Sequence, residues 1–112
     1  MSDYKGLFVV VNGDAVNTIT NVNVVHTEDG VVANADALGP GQSVMGSNPI
    51  MSSGTDNWNV SFRDHNGNVQ SRDGKECGLE SDDNGQVAVI VLYPSNFTVL
   101  TPQSSPCLNN HY

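Results

Sequence analysis

Three acidic segments of this sequence carry side chains that could bind a ligand or a cation. They are 64–67 (Asp-His-Asn-Gly), 73–74 (Asp-Gly) and 82–85 (Asp-Asp-Asn-Gly). Calcium takes roughly six to eight oxygen ligands from carboxylates, amides and carbonyls, and none of the segments has the EF-hand spacing. Asp or Asn before Gly is also what tight turns require. Turn formation is therefore the favoured interpretation and no cofactor is expected, with calcium at Glu80, Asp82 and Asp83 as the alternative.

The three histidines, His26, His65 and His111, are scattered along the chain. A general base must lie within hydrogen-bond reach of its nucleophile. No serine or cysteine lies in a nucleophile motif such as Gly-x-Ser-x-Gly. We therefore expect three exposed histidines and no enzymatic activity.

Two cysteines, Cys77 and Cys107, are 30 positions apart and have no paired histidine, so they do not match a zinc site. As a disulfide they would close a loop worth about 3–4 kcal/mol in the chain-entropy model. Two free thiols are expected in a reducing compartment. The disulfide is slightly favoured because it would tie down the segment around Cys107.

Composition limits the classes of partner. The chain has 112 residues, 38% hydrophobic and 14% charged, with a net charge of −8. This size and composition predict one ordered domain. Four basic residues are too few to neutralise phosphates, which argues against nucleic acids and anionic membranes. The first residues form no apolar signal segment, which predicts a cytoplasmic or leaderless secreted protein.

Strands separated by turns are the elements that must position these side chains. Trp58, Val60 and Phe62 alternate with polar residues, as in a strand with one buried face. No window has helical periodicity. Short strands at this spacing predict an antiparallel β-sandwich of about seven or eight strands, with a small barrel as the alternative. The predicted strands are 7–11, 18–27, 31–33, 57–63, 68–72, 86–93 and 97–100.

Several details of this arrangement are also predicted. The first two strands should be antiparallel neighbours, and 86–93 should be a central strand buried on both faces. Asn66-Gly67 indicates a two-residue hairpin turn. The pattern is weak over 42–50, where we expect a loop, and the prolines from Pro102 onward predict extended coil.

Aromatic rings and loop amides provide the surface that sugar recognition needs. Trp58 is predicted in the core, with a stacking platform as the alternative, and Tyr93 is expected to be half exposed at a strand end. Binding residues concentrate on loops held by a rigid scaffold. The predicted ligand-binding residues are Asp64, Asn66, Asp82, Asp83, Asn84 and Tyr93.

The valine-rich segment 7–11, the turn 38–43 and the strand 55–62 after a glycine-containing loop resemble small fungal β-sandwich proteins, the aegerolysins and fruiting-body lectin-like proteins. The resemblance implies a sandwich fold and lectin-like binding. Those families carry many Trp and Tyr on a lipid-binding face, whereas this chain has one Trp, so membrane insertion is not expected. A looser similarity is to mycodulcein-like sweet-tasting proteins of mushrooms.

Together these observations predict a non-enzymatic binding module that recognises a glycan or other polar ligand through loops at one end of the sandwich. The alternative is a sweet-tasting protein whose acidic surface acts on a protein receptor. Unpaired strand edges could support a homodimer. Seven of the twelve carboxylates fall within 56–83, so that stretch is expected to form the active face.

Overall fold

The computed structural model describes residues 4–52, 56–79, 83–103 and 106–112. These residues form ten β-strands and no α-helix, which confirms the all-β prediction. No helix in the described ranges is long and apolar enough to cross a membrane. The strands are β1 (Tyr4–Asn12), β2 (Ile19–His26), β3 (Val31–Leu38), β4 (Ser43–Met45), β5 (Ile50–Ser52), β6 (Asn57–Arg63), β7 (Val69–Glu76), β8 (Val87–Leu92), β9 (Asn96–Leu100) and β10 (Cys107–His111).

The strands form two sheets that pack face to face as a β-sandwich. The first sheet has the order β10-β9-β8-β1-β4, and β5 also pairs with β1. The second has the order β3-β2-β6-β7. The strands do not close into a barrel, so the alternative architecture is wrong.

Period-2 alternation builds the core between the sheets. Phe8 and Val10 of β1 are fully buried, as is Trp58 of β6, which confirms the core assignment of the tryptophan. The Trp58 ring packs edge-on against Phe8 at 5.1 Å, and its indole N–H donates to the Cys77 carbonyl. Burial of the ring and pairing of its polar atom together favour this position.

β1 and β2 are not neighbours, contrary to the prediction. They lie in different sheets, and β1 instead runs parallel to β8 with Leu7 opposite Val87. The other strand pairs of the described residues are antiparallel. The Asn12 side-chain amide donates to the backbone carbonyls of Asn17 and Leu38. These hydrogen bonds attach the end of β1 to the segment that leads into the second sheet. Hydrophobic periodicity carries no information about which strand becomes the partner.

β8 is central, as predicted, since it lies between β9 and β1. It is not buried on both faces. Ala88, Ile90 and Leu92 point into the core, whereas Val87 remains 41% exposed. A two-layer sandwich covers only one face of each sheet.

Three short strands were not predicted from the sequence. β4 and β5 pair along opposite halves of β1, in the region predicted as a loop, and β10 lies in the predicted coil after Pro102. β4 and β5 have three residues each, which is too short to show a period, and β10 has no alternation of apolar and polar residues. Their backbone hydrogen bonds to longer strands stabilise them.

Candidate functional site

Asp64 and Asn66, predicted to bind ligand, instead form the β6–β7 hairpin. The Asp64 carboxylate accepts hydrogen bonds from the backbone N–H groups of Asn66 and Asn68, at 3.0 and 2.9 Å. The pKa of Asp64 is lowered, mainly by the hydrogen bond from the Asn68 backbone N–H. The Gly67 backbone has a positive φ, in the left-handed region. The hairpin loop between Asp64 and Asn68 has three residues rather than the predicted two. The carboxylate is thus already used by its own turn.

The second predicted acidic group precedes β8. Asp83 is buried, and its carboxylate accepts the Gln103 backbone N–H at 2.7 Å. The Asn84 side chain accepts the Lys5 N–H at 2.9 Å. Asp82, together with Glu80 of the calcium alternative, lies outside the described residues. Asn84 therefore attaches the loop before β8 to β1, and Asp83 attaches it to the segment after β9.

The predicted ligand-binding residues do not share one end of the sandwich. Asn84 precedes β8 and Tyr93 follows it, so about 20 Å separates them along a strand of about 3.3 Å per residue. Asp64 lies at the same end as Tyr93 because Thr20 pairs with Arg63 and the β1–β2 loop adjoins the end of β8. Two of the described carboxylates of 56–83 lie at opposite ends of β6, since Asp56 precedes the strand and Asp64 follows it. The active face expected in that stretch stays a prediction.

Cys77 and Cys107 form a disulfide with their Cα atoms 5.8 Å apart. This confirms the favoured alternative. The bond links the segment after β7 in the second sheet to the first residue of β10 in the first sheet. It therefore anchors an edge strand that has a partner on one side only.

A fully buried histidine with an acidic partner at each ring nitrogen lies at the end of β2. His26 Nδ1 is 2.9 Å from Asp29 Oδ1, and Nε2 is 2.5 Å from Asp56 Oδ1. Glu28 lies farther away, with its Oε1 3.6 Å from Nε2. We call these four residues the His26 cluster. Hydrogen bonding at both nitrogens is the pattern of a protonated imidazolium.

The prediction of three exposed histidines holds for His65 and His111 and is wrong for His26. A signal was present in the sequence: Val22, Val24 and His26 are spaced by two, and Val22 and Val24 are also fully inward-facing. The alternation that placed Trp58 in the core applies equally to His26. The acidic partners come from a turn and from the residue before β6, so no local pattern indicates them.

Electrostatics support the protonated form of His26. Burial lowers the pKa of its imidazole, but the hydrogen bonds and charges of Asp56 and Asp29 outweigh burial and hold the pKa above its ordinary value. Burial also acts to raise the pKa of Asp29, and the hydrogen bonds from Met51 and His26 more than offset it, leaving a lowered pKa. The cluster is an ionic network in a mostly dry environment.

The donor atoms of His26, Glu28 and Asp56 lie within 4.8 Å of one another, and these are residue types that bind zinc. Asp56 Oδ2 accepts the Leu79 N–H, and Glu28 accepts the backbone and side-chain N–H groups of Asn57. Ligands of one zinc ion are spaced by roughly 3 Å or more, since each lies about 2.0–2.2 Å from the metal. The 2.5 Å separation between His26 Nε2 and Asp56 Oδ1 is that of a direct hydrogen bond and is too short for two ligands of one zinc ion, so we interpret the cluster as structural.

An open groove of about 540 Å³ runs along the β8–β9 turn and the outer side of β10. Three of its residues are unusually exposed apolar or aromatic side chains: Tyr93 at 38%, Leu100 at 40% and Leu108 at 55%. Amide and hydroxyl groups lie between them. The groove residues, which we call the β10 groove, are Tyr93, Pro94, Ser95, Asn96, Thr98, Leu100, Leu108 and Asn109.

A bulge in β10 displays one of these amides. The register shifts between Cys107 and Asn110, and Asn109 takes a left-handed backbone with φ of 55°. The Asn110 side chain turns inward and donates to the carbonyls of Phe97 and Cys107, which fixes the bulge. Bulges redirect side chains, and non-glycine residues in this conformation cluster at functional sites. Asn109 is exposed as a result.

The opposite wall of the β10 groove is also held in place. The Tyr112 hydroxyl lies 2.7 Å from the Tyr93 carbonyl oxygen and 2.8 Å from the Asn96 carbonyl oxygen, so its single O–H group can donate to either of them. Burial raises the pKa of Tyr112, so its hydroxyl stays protonated as a donor. Gly13 approaches the Tyr93 ring so closely that a Cβ there would lie 2.7 Å from it. Among the predicted ligand residues that the structure describes, Tyr93 alone lines the β10 groove.

Comparisons with known proteins provide evidence on the fold alone. No protein-family model matches the chain, and no curated protein matches it. The chain is similar to a solved NMR structure of a protein from Eubacterium rectale, with a TM-score of 0.50 and 14% sequence identity. The similarity covers 91% of this chain and 92% of that one. The same arrangement of strands is therefore compatible with a very different sequence.

Proposed function

We propose that this chain is a non-enzymatic binding module that holds a carbohydrate in the β10 groove. The observation that carries the proposal is the combination of exposed Tyr93, Leu100 and Leu108 with the amides of Asn96 and Asn109 in one concave surface. A sugar ring has an apolar C–H face and a rim of hydroxyls. Aromatic and aliphatic side chains cover such a face, and amides pair with hydroxyls as both donors and acceptors.

Rigidity of the groove supports the same proposal. Tyr112 holds the β8–β9 turn, while Asn110 and the disulfide hold β10. Binding to a site that is already ordered loses less conformational entropy. Side chains of the acidic turns contribute less, because Asp64 and Asp83 already accept hydrogen bonds from the backbone.

The test is an NMR titration of the ¹⁵N-labelled protein with a panel of oligosaccharides, run with and without calcium. We expect saturable shifts of the Tyr93, Asn96 and Asn109 amides with at least one sugar. Replacing Asn109 with Gly keeps a residue that accepts the left-handed backbone and removes the side chain with its amide, so affinity should fall about fivefold to tenfold. Tyr93→Ala should reduce it further.

A matched control exists in the second sheet. Asn21 is also exposed and left-handed, with φ of 50°, and is not among the groove residues. Asn21→Gly should leave affinity unchanged. Absence of groove shifts for every sugar tested, or equal losses for Asn109→Gly and Asn21→Gly, would overturn the proposal.

A further inference from the structure

We infer that the β10 groove selects an uncharged carbohydrate, and that Asn109 is the residue that determines this selection. The inference rests on the proposed function and adds the class of ligand. Its basis is the contrast between the groove and the rest of the chain. The protein has twelve carboxylates and a net charge of −8, yet none of the described residues that line the β10 groove carries a charge.

The missing charge has a direct consequence for binding. A carboxylate or ammonium group loses hydration when it enters the groove, and the lining offers amides, hydroxyls and apolar surface but no opposite charge in return. A neutral sugar loses only hydroxyl hydration, which amide hydrogen bonds replace. The lining therefore favours the neutral ring by chemistry rather than by size.

The surrounding charges do not reverse this preference. The net charge of −8 acts against anionic ligands at long range. Arg72 contacts β10, but its guanidinium donates to the His111 backbone carbonyl at 3.0 Å, and Arg72 is not among the groove residues. An anionic sugar that used Arg72 is nonetheless the strongest competitor, so it belongs in the test.

Asn109 is the groove residue at which a substitution can change the preference for neutral over charged sugars. It is exposed in the groove at the left-handed position of the bulge, and its backbone N–H donates to the Thr98 hydroxyl at 3.4 Å. Aspartate has nearly the same shape and also tolerates this backbone conformation. Asn109→Asp therefore changes the charge of the groove with little change in geometry.

The experiment titrates the protein by calorimetry with neutral gluco-, manno-, galacto- and N-acetylglucosamine tetrasaccharides. Each is paired with its uronate or its amino derivative. We expect at least one neutral sugar to bind, and its charged derivatives to bind about tenfold more weakly or worse. In Asn109→Asp, the affinity for the amino sugar relative to the neutral sugar should rise about fivefold.

The outcomes separate the two proposals. A neutral and a charged derivative that bind equally, a preference for a charged sugar, or an unchanged preference in Asn109→Asp would overturn the inference and leave carbohydrate binding intact. Absence of binding by every sugar would overturn both. Asn21→Asp adds the same charge outside the groove, so a shift of preference in that variant would also count against the role of Asn109.

Discussion

The His26 cluster is the most unusual feature at the scale of single residues. One imidazole without solvent exposure is hydrogen-bonded to two carboxylates, and Glu28 lies nearby. Asp29 extends the network to the Met51 N–H in the first sheet, and Asp56 extends it to the Leu79 N–H. The cluster thus joins segments that are far apart in sequence, and its charge state affects the stability of that end of the sandwich.

The raised pKa of His26 predicts a loss of stability at alkaline pH. A group with a higher pKa in the folded state contributes fully below its unfolded value, here 6.5, and the contribution disappears as pH rises through the folded value. The free energy of unfolding, measured in urea, should therefore fall as the pH rises above about 6.5 and through the raised pKa of His26. Stability that does not fall as the pH rises from 6.5 would contradict the protonated assignment.

His26→Gln tests the same cluster by substitution. It removes the positive charge beside the buried carboxylate of Asp56 and the partly exposed one of Asp29, so we expect a loss of about 3 kcal/mol. His65→Gln is the control, because His65 is exposed and should change stability by less than about 0.5 kcal/mol. If His26→Gln does not fold, NMR titration of the wild-type imidazole gives the answer: an ordinary or lowered pKa would exclude the ion pair.

At the scale of elements, β10 is the strand that depends most on its attachments. It is an edge strand of five residues, paired with β9 through a bulge. The disulfide holds its first residue, and Leu108 and Asn109 of the groove follow immediately. Short edge strands have backbone hydrogen bonds on one side only, so their order comes from such additional contacts.

Removal of the disulfide should therefore affect both stability and the groove. For the double variant Cys77→Ser/Cys107→Ser we expect the free energy of unfolding to fall by about 3–4 kcal/mol. Amide hydrogen exchange should accelerate most at Leu108 to Asn110, and sugar affinity should fall with it. A protein that keeps its exchange protection in β10 without the disulfide would show that the pairing with β9 is sufficient.

At the scale of the whole molecule, the pairing of β1 with β8 dominates the topology. Leu7 lies opposite Val87, and the N-terminal strand is central to a sheet completed by the last strands of the chain. Contacts across such sequence distances require large loops to close before they contribute free energy. The fold is therefore rich in nonlocal contacts.

This topology predicts slow folding. The main refolding phase should take milliseconds to seconds, the range of β-sandwiches with nonlocal pairing. Trp58 is the sole tryptophan and is fully buried, so stopped-flow fluorescence reports formation of the core directly. Refolding in microseconds would be incompatible with closure of the β1–β8 pair in the rate-limiting step.

The sequence by itself determined where most of the longer strands lie and which face of β6 is buried. Trp58, Val60 and Phe62 face the core as their spacing predicts, because side chains alternate along a strand. The favoured disulfide between Cys77 and Cys107 is also present, and a chain with two cysteines has no other intrachain pairing. The predicted homodimer, receptor and calcium alternatives remain predictions.

Only the tertiary structure decided which strands pair and which side chains converge. Periodicity is the same for a parallel and an antiparallel partner, so it did not indicate the β1–β8 pair. His26 acquires its carboxylates from a turn and from a residue 30 positions away. Asn109 becomes exposed at a bulge that depends on Asn110, and Tyr93 joins it across the β8–β9 turn. Such convergence is a property of long-range packing, which no local pattern encodes.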